Sequence, residues 1–278
     1  FFYSVYFIYC IIYMKKALLI GINYTGSKYE LGGCINDINN IQNFIIENCE
    51  YKIENTTKLT DETTVKPTLQ NVKDSIYNLV KNTVAGDSLL FYYSGHGSQI
   101  ENDNEIKIGD DLDEVLVPLD YKKSGFITDV WLYDNLVKII PKDVTLWCFT
   151  DCCHSGTMLN LQYNLVYNRK KQNIETGVYN EDDWINKYTL FLTNKKIETE
   201  GDVFMFSGCL DEQTSADLGD RGAFTNALLE TLGNYKDKNR KIIDILKEID
   251  CRLNVNDFTQ IPQLSIGNLD DIHKDLVL

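Results

Sequence analysis

Val144-Thr145-Leu146-Trp147-Cys148-Phe149-Thr150-Asp151-Cys152-Cys153-His154-Ser155-Gly156 decides the fold. Seven apolar or β-prone residues end abruptly in a polar cluster closed by glycine, the pattern of a buried strand that stops at a site. Asp87-Ser88-Leu89-Leu90-Phe91-Tyr92-Tyr93 repeats this pattern, with Ser94-Gly95-His96-Gly97 as its glycine-flanked tip. If the two strands are parallel neighbours, His96 and the Cys152-Cys153 pair meet at the carboxyl edge of the sheet. Open α/β sheets bind ligands at that edge.

The surrounding pattern supports such a sheet. Lys15 to Ile22 predicts a first buried strand and Asn23 to Gly33 a loop. Apolar residues at 35, 38, 41 and 45 predict a helix over Ile35 to Ile46. Tyr51 to Leu59 is a weak strand, and Lys66 to Val80 a helix with Pro67 in its first turn. Val115 to Val117 is a brief strand and Asp129 to Ile140 an amphipathic helix. Met158 to Gly201 is irregular, long enough to suggest a functional loop. Asp202 to Phe206 is a strand, Ala223 to Leu232 and Lys241 to Leu253 are helices, and Ile261 to Ile266 is a last strand that Pro262 suits to a sheet edge. Strands alternating with helices predict an α/β fold with a mainly parallel central sheet flanked by helices on both faces.

The chain has 278 residues, 44% hydrophobic and 24% charged, enough for one large domain. A net charge of −14 disfavours nucleic acid and anionic membranes as partners. Eight cysteines without paired C-x-x-C spacing read as reduced thiols in a cytoplasmic setting. Residues 1–14 form an apolar extension (FFYSVYFIYCIIYM) outside the 15–278 domain. It is shorter than the roughly 20 residues of a spanning helix, so stable membrane insertion is not expected, although membrane association stays open. The preferred reading is that Met14 is the natural start.

Cysteine and histidine on neighbouring strand tips suit nucleophilic acyl transfer: a thiolate attacks a carbonyl and an imidazole moves the proton. Two other readings stay open on spacing alone. One is a buried structural cysteine beside a surface histidine. The other is a zinc site through His96, Cys152, Cys153 and His154, although neighbouring strand residues point to opposite faces and do not easily share one metal. His154 reads as a loop histidine without a catalytic role. Asp110-Asp111-Leu112-Asp113-Glu114 offers hard oxygen ligands for calcium, against the alternative of a solvated acidic loop.

Tyr93-Ser94-Gly95-His96-Gly97 together with Asp151-Cys152-Cys153-His154-Ser155-Gly156 resembles the metacaspases, caspase-like cysteine peptidases. Gly33-Cys34-Ile35-Asn36-Asp37, the Ser207 to Asp217 stretch, Gly222 to Thr225 and Gln260 to Ser265 follow in that family's order. The resemblance implies a caspase-like fold, with His96 as general base, Cys153 as nucleophile and Cys152 as its non-catalytic neighbour. It implies an endopeptidase whose primary pocket takes Arg or Lys, at the positions of Cys34, Asp37, Ser94 and Asp151. Two carboxylates at a cleft mouth would indeed pair a guanidinium or ammonium. Backbone N–H groups of Gly97 and Cys153 are the expected oxyanion donors. A catalytically inactive scaffold and a legumain-like hydrolase of other specificity are the alternatives, both disfavoured by the intact residues. No cofactor is required for the chemistry. The family's calcium would be held by Asp111, Asp113 and Asp129, but Val130 and Asn160 stand where aspartates are usual. Weak or absent calcium dependence is therefore expected. The lysine pairs Lys170-Lys171 and Lys195-Lys196 are candidate autocleavage sites, and the molecule is expected to be a monomer.

Overall fold

The structure is a computed structural model that describes residues 13–101, 112–169, 187–193, 199–210, 219–234 and 240–278. Asp111, both lysine pairs and the 211–217 part of the late motif lie outside the described residues.

Eight strands form the main sheet: β1 (Lys15–Gly21), β2 (Thr56–Thr60), β3 (Ser88–Ser94), β7 (Thr145–Asp151), β8 (Tyr163–Tyr167), β9 (Tyr188–Leu192), β10 (Asp202–Ser207) and β11 (Gln263–Ile266). Their order is β2-β1-β3-β7-β10-β11-β8-β9. The five from β2 to β10 pair in parallel, and the last three pairings are antiparallel. A small second sheet joins β4 (Gly97–Glu101), β5 (Leu112–Leu116) and β6 (Ile127–Thr128).

The apolar runs are continuous because both faces of the sheet are covered. Alternation divides each run cleanly. Ala17, Leu19, Leu90, Tyr92, Trp147, Phe149, Phe204 and Phe206 face one core. That core is closed by α1 (Cys34–Asn48), α5 (Ala223–Gly233) and α6 (Ile242–Val255). Leu18, Ile20, Leu89, Phe91, Tyr93, Leu146, Cys148, Val203 and Met205 face the other, closed by α2 (Leu69–Val80) and by α4 (Asp129–Leu132) with the π-helical turn Tyr133–Val137. A four-residue helix, α3 (Tyr121–Ser124), links the small sheet's strands. Tyr92, Phe149 and Phe206 stack in sequence across β3, β7 and β10, at 5.9 and 5.5 Å. Each such buried ring contributes about 1.5–3 kcal/mol of burial energy.

Three expectations change. The last strand is not at an edge: β11 lies between β10 and β8. It begins at Gln263, so Pro262 precedes the ladder and has no bond to donate. The Met158 to Gly201 stretch contains β8 and β9. Pro67 precedes its helix, because the Thr68 hydroxyl caps the Asn71 amide and α2 starts at Leu69.

Candidate active site

The parallel register sets the site. In β3 and β7, Phe91 pairs with Cys148, Tyr92 with Phe149 and Ser94 with Asp151. The two strands therefore end level, and the residues following them share one edge. Alternation sends Ser94 and Asp151 to the α1/α5 face. Cys152 falls on the opposite face, 1% exposed in the α2-side core. Burial pushes its thiol well above the ordinary range, with Cys209, Cys153 and Asp151 adding in the same direction. Cys153 is partly exposed and lines a cleft of about 170 Å³ with His96, Cys34, Asp37, Ser94 and Asp151. The structure thus brings together the sequence-predicted nucleophile, base and pocket residues. His154 takes a left-handed backbone, φ 53°, at the turn after Cys153. A methyl group at Gly97 would overlap the Cys153 carbonyl oxygen, so the base and nucleophile segments touch along their backbones.

His96 is held from several sides. Its Nε2 lies 2.8 Å from the carbonyl oxygen of Tyr29. The Tyr24 hydroxyl accepts its backbone N–H at 3.1 Å and donates to Val117 O at 2.6 Å. The Tyr93 hydroxyl donates to His96 O at 2.8 Å. The Tyr24 ring packs on the imidazole, centroids 4.7 Å apart. Burial holds both phenols above their ordinary range, so they stay neutral donors.

The pocket carboxylates are fixed by neutral donors. Asp37 accepts from the Ser94 hydroxyl at 2.8 Å and from Gly222 N at 2.9 Å. Asp151 accepts from Thr225 N at 2.9 Å and from the Thr225 hydroxyl at 2.7 Å. Asp37 therefore serves the pocket from the first turn of α1. Both carboxylates flank one glycine: a methyl group on Gly222 would overlap Asp151 Oδ2 and stand 3.0 Å from Asp37 Oδ2. Beneath them, burial and then the charges of Asp151 and Asp37 push the Tyr92 phenol well above its ordinary range. Two negative groups on the wall of a cleft favour a cationic side chain.

The loop after Cys153 is tied down by residues that the sequence marked without a role. Gln263 Nε2 and the Ser265 hydroxyl both donate to Gly156 O, at 2.5 and 3.0 Å. The Ser155 hydroxyl donates to Cys152 O at 2.8 Å. Cys209, at the end of β10, points its sulfur at the same carbonyl, 3.1 Å away, and burial pushes that thiol up to about 12. Tyr24, Tyr29 and Thr225 were not expected to serve the site. Tyr29 acts through its backbone carbonyl and leaves no signature in sequence.

Of the expected calcium positions, Asp113 and Asp129 are described and Asp111 is not. Asp129 is 3% exposed; one of its oxygens accepts Val130 N at 2.7 Å and the other the Asn160 amide at 2.6 Å. A nitrogen that donates to a carboxylate is not a cation ligand. Among the described residues, no three His, Cys, Asp or Glu side chains converge as a metal site. Among the described residues, the Asp129–Asn160 pair does not suit a calcium ion, which takes 6–8 oxygen ligands.

A mainly parallel α/β sheet carrying a cysteine and a histidine on adjacent strand ends is the arrangement of the caspase fold. Crystal structures bear this out. A protein from Geobacter sulfurreducens superposes with TM-score 0.65 at 22% identity, covering 94% of this chain and 97% of its own. Caspase-1 from Spodoptera frugiperda superposes with TM-score 0.51 at 13% identity, covering 91% and 86%. Residues 15–162 match the family described as Metacaspase, peptidase C14 domain. Metacaspase-1 of Candida albicans is 35% identical over 296 aligned positions, 91% of this chain and 65% of the relative. The chain belongs to the metacaspase family. It spans just under two thirds of that relative's length.

Proposed function

We propose that the chain is a cysteine endopeptidase that cleaves after Arg or Lys. The observation that carries this reading is the convergence of Cys153 and His96 on one cleft whose wall holds Asp37 and Asp151. Asp37 and Asp151 pair the guanidinium or ammonium of the substrate. This sets the carbonyl carbon of that same Arg or Lys against Cys153. His96 takes the thiol proton and the thiolate attacks, forming a carbon–sulfur bond. The developing oxyanion meets the N–H groups of Gly97 and Cys153. As the peptide bond breaks, His96 returns its proton to the leaving amine, and a thioester remains. His96 then draws a proton from water. The hydroxide displaces the thiolate and releases the carboxylic acid.

No helix among the described residues is long and apolar enough to cross a membrane. The reading places the enzyme in the cytoplasm as a monomer acting on protein substrates, with no cofactor in the chemistry. The test is cleavage of paired fluorogenic peptides ending in Arg, Lys or Asp. Release after Arg and Lys, absent after Asp and lost in Cys153→Ala, is the expected result. No release from any peptide would favour a non-catalytic scaffold.

A further inference from the structure

The elements that carry the two reacting residues are linked in a circuit. His96 opens directly into β4, which pairs with β5 through Gly97 and Leu116. β5 pairs with β6 through Val115 and Thr128. Thr128 caps α4, whose first residue is Asp129. From the other side, Cys153 opens the loop that runs through Met158 and Leu159 to Asn160. Asn160 Nδ2 donates to Asp129 Oδ2 at 2.6 Å, and both residues are nearly inaccessible, at 7% and 3%. This bond joins the far end of the His96 branch to the far end of the Cys153 loop.

We infer that Asn160 is a positioning residue: its bond to Asp129 locks the Cys153 loop onto the His96 sheet and makes assembly of the centre independent of calcium. In a chain with a carboxylate at position 160, two buried anions would face each other and need a cation between them. An amide offers two N–H donors instead, and its nitrogen must be the atom that faces an acceptor-only carboxylate. The bond is charge-assisted and enclosed, so it does without an ion what a bridging ion would do. The backbone is built for it. Asn160 adopts φ 52°, a left-handed conformation that Asn tolerates well, and its N–H donates to Thr157 O at 2.7 Å. Neighbouring Leu159 and Leu161 are each 1% exposed and anchor the turn in the core. Val130, the next position on α4, supplies no oxygen from its side chain.

The inference rests on the peptidase reading for its kinetic arm only. Calorimetry with calcium chloride and the alkylation rate of Cys153 by iodoacetamide test it without peptide substrate. The unaltered chain is expected to give no binding heat up to about 10 mM calcium, above the range of weak protein calcium sites. Its alkylation rate and Arg-peptide cleavage are expected to be the same in calcium and in chelator. Asn160→Ala should lower kcat about tenfold to a hundredfold with little change in KM, since loop misplacement costs rate. Calcium should not restore it. Asn160→Asp should lose rate similarly in chelator and regain it in millimolar calcium, which a variant that merely unfolds would not do. Micromolar calcium binding by the unaltered chain would overturn the inference, as would a folded Asn160→Ala variant with full kcat. If no peptide is cleaved, the peptidase reading fails. The calcium heat and the effect of Asn160→Ala on Cys153 alkylation then decide the inference.

Discussion

The Nε2 of His96 stands 2.8 Å from the carbonyl oxygen of Tyr29. A carbonyl only accepts, so Nε2 must carry the proton. In the neutral ring Nδ1 is then the acceptor, available for a thiol proton. The chain contains 3 histidines, His96, His154 and His273, so their ring signals can be separated by single substitutions. Ring nitrogen NMR above the titration range should show His96 as the Nε2–H tautomer. The Nδ1–H tautomer would remove His96 as a base acting through Nδ1.

Tyr24 holds the backbone rather than the ring nitrogen of that histidine. Tyr24→Phe keeps the packed ring and removes the hydroxyl that bridges His96 N and Val117 O. Three hydrogen bonds are lost, counting the 3.2 Å contact with the Tyr93 hydroxyl, each about 0.5–1.5 kcal/mol. The expected result is a several-fold fall in kcat, KM within a factor of about two, and a small loss of thermal stability. A change confined to KM would show that the hydroxyl serves substrate binding instead.

Burial raises most of the described thiols, including Cys49 and Cys251, which like Cys153 are partly exposed. Cys148 and Cys152 are pushed well above the ordinary range by burial, Cys209 up to about 12 and Cys49 up to about 11, and Cys251 is also raised by burial. Cys34 is buried, whereas Cys153 is partly exposed beside His96. Limited iodoacetamide near neutral pH should therefore place its first adduct among the described residues on Cys153, and Cys152→Ser should not prevent it. Peptide mapping that finds Cys152 modified first would reverse the assignment of the two cysteines.

Much of this site is legible because parallel sheets align strand ends. Once Asp87 to Tyr93 and Val144 to Thr150 read as neighbouring buried strands, His96 and the Cys152-Cys153 pair meet at one edge, and the family resemblance singles out Cys153 of the two. In the structure the Cys152 side chain packs into the α2-side core behind the cleft, while Cys153 is the more exposed of the two. The pocket needed more. Asp37 was marked by a motif, but its bonds to Ser94 and Gly222 come from three distant parts of the chain. Long-range contacts of this kind carry no local signature. The same holds for Tyr29, where any residue could supply the carbonyl. The Met158 to Gly201 stretch failed differently. β8 is only five residues long and its partner β11 lies about 100 residues further on, so periodicity had little to report.

Asp37, Asp151 and Gly222 should govern what enters the cleft. Asp37→Asn or Asp151→Asn keeps size and removes one charge. A hydrogen bond to a charged group is worth about 1.5–3 kcal/mol, so kcat/KM for an Arg peptide should fall roughly 10- to 150-fold. Gly222→Ala meets no backbone obstacle, since φ is −75° and ψ 144°. Its methyl instead overlaps Asp151 Oδ2 and crowds Asp37, so Arg cleavage should fall and the thermal midpoint should fall with it. Arg cleavage undiminished in all three variants would separate the carboxylates from specificity.

A last prediction concerns stability away from the cleft. Asp250 on α6 has a side chain with 0% exposure, and Arg169 Nε contacts its two oxygens at 3.0 and 3.1 Å. Arg169 Nη2 also donates to Gln260 O at 2.9 Å, tying the end of β8 to the segment before β11. Burial raises the Asp250 carboxyl above its ordinary 3.8, and Arg169 opposes that shift. Arg169→Met removes the opposition, so the folded-state value rises further above the unfolded one. The folded variant then binds a proton that the unfolded chain has released, and its stability declines as pH rises from near 4 through that raised value. Breaking one side of a buried pair costs about 3–5 kcal/mol near neutrality. Arg169→Met should therefore be strongly destabilised at pH 7 and less so at pH 4, each compared with the unaltered chain at the same pH. Chemical denaturation at the two values is the measurement. A penalty independent of pH would mean that lost packing, not the stranded carboxylate, sets the cost.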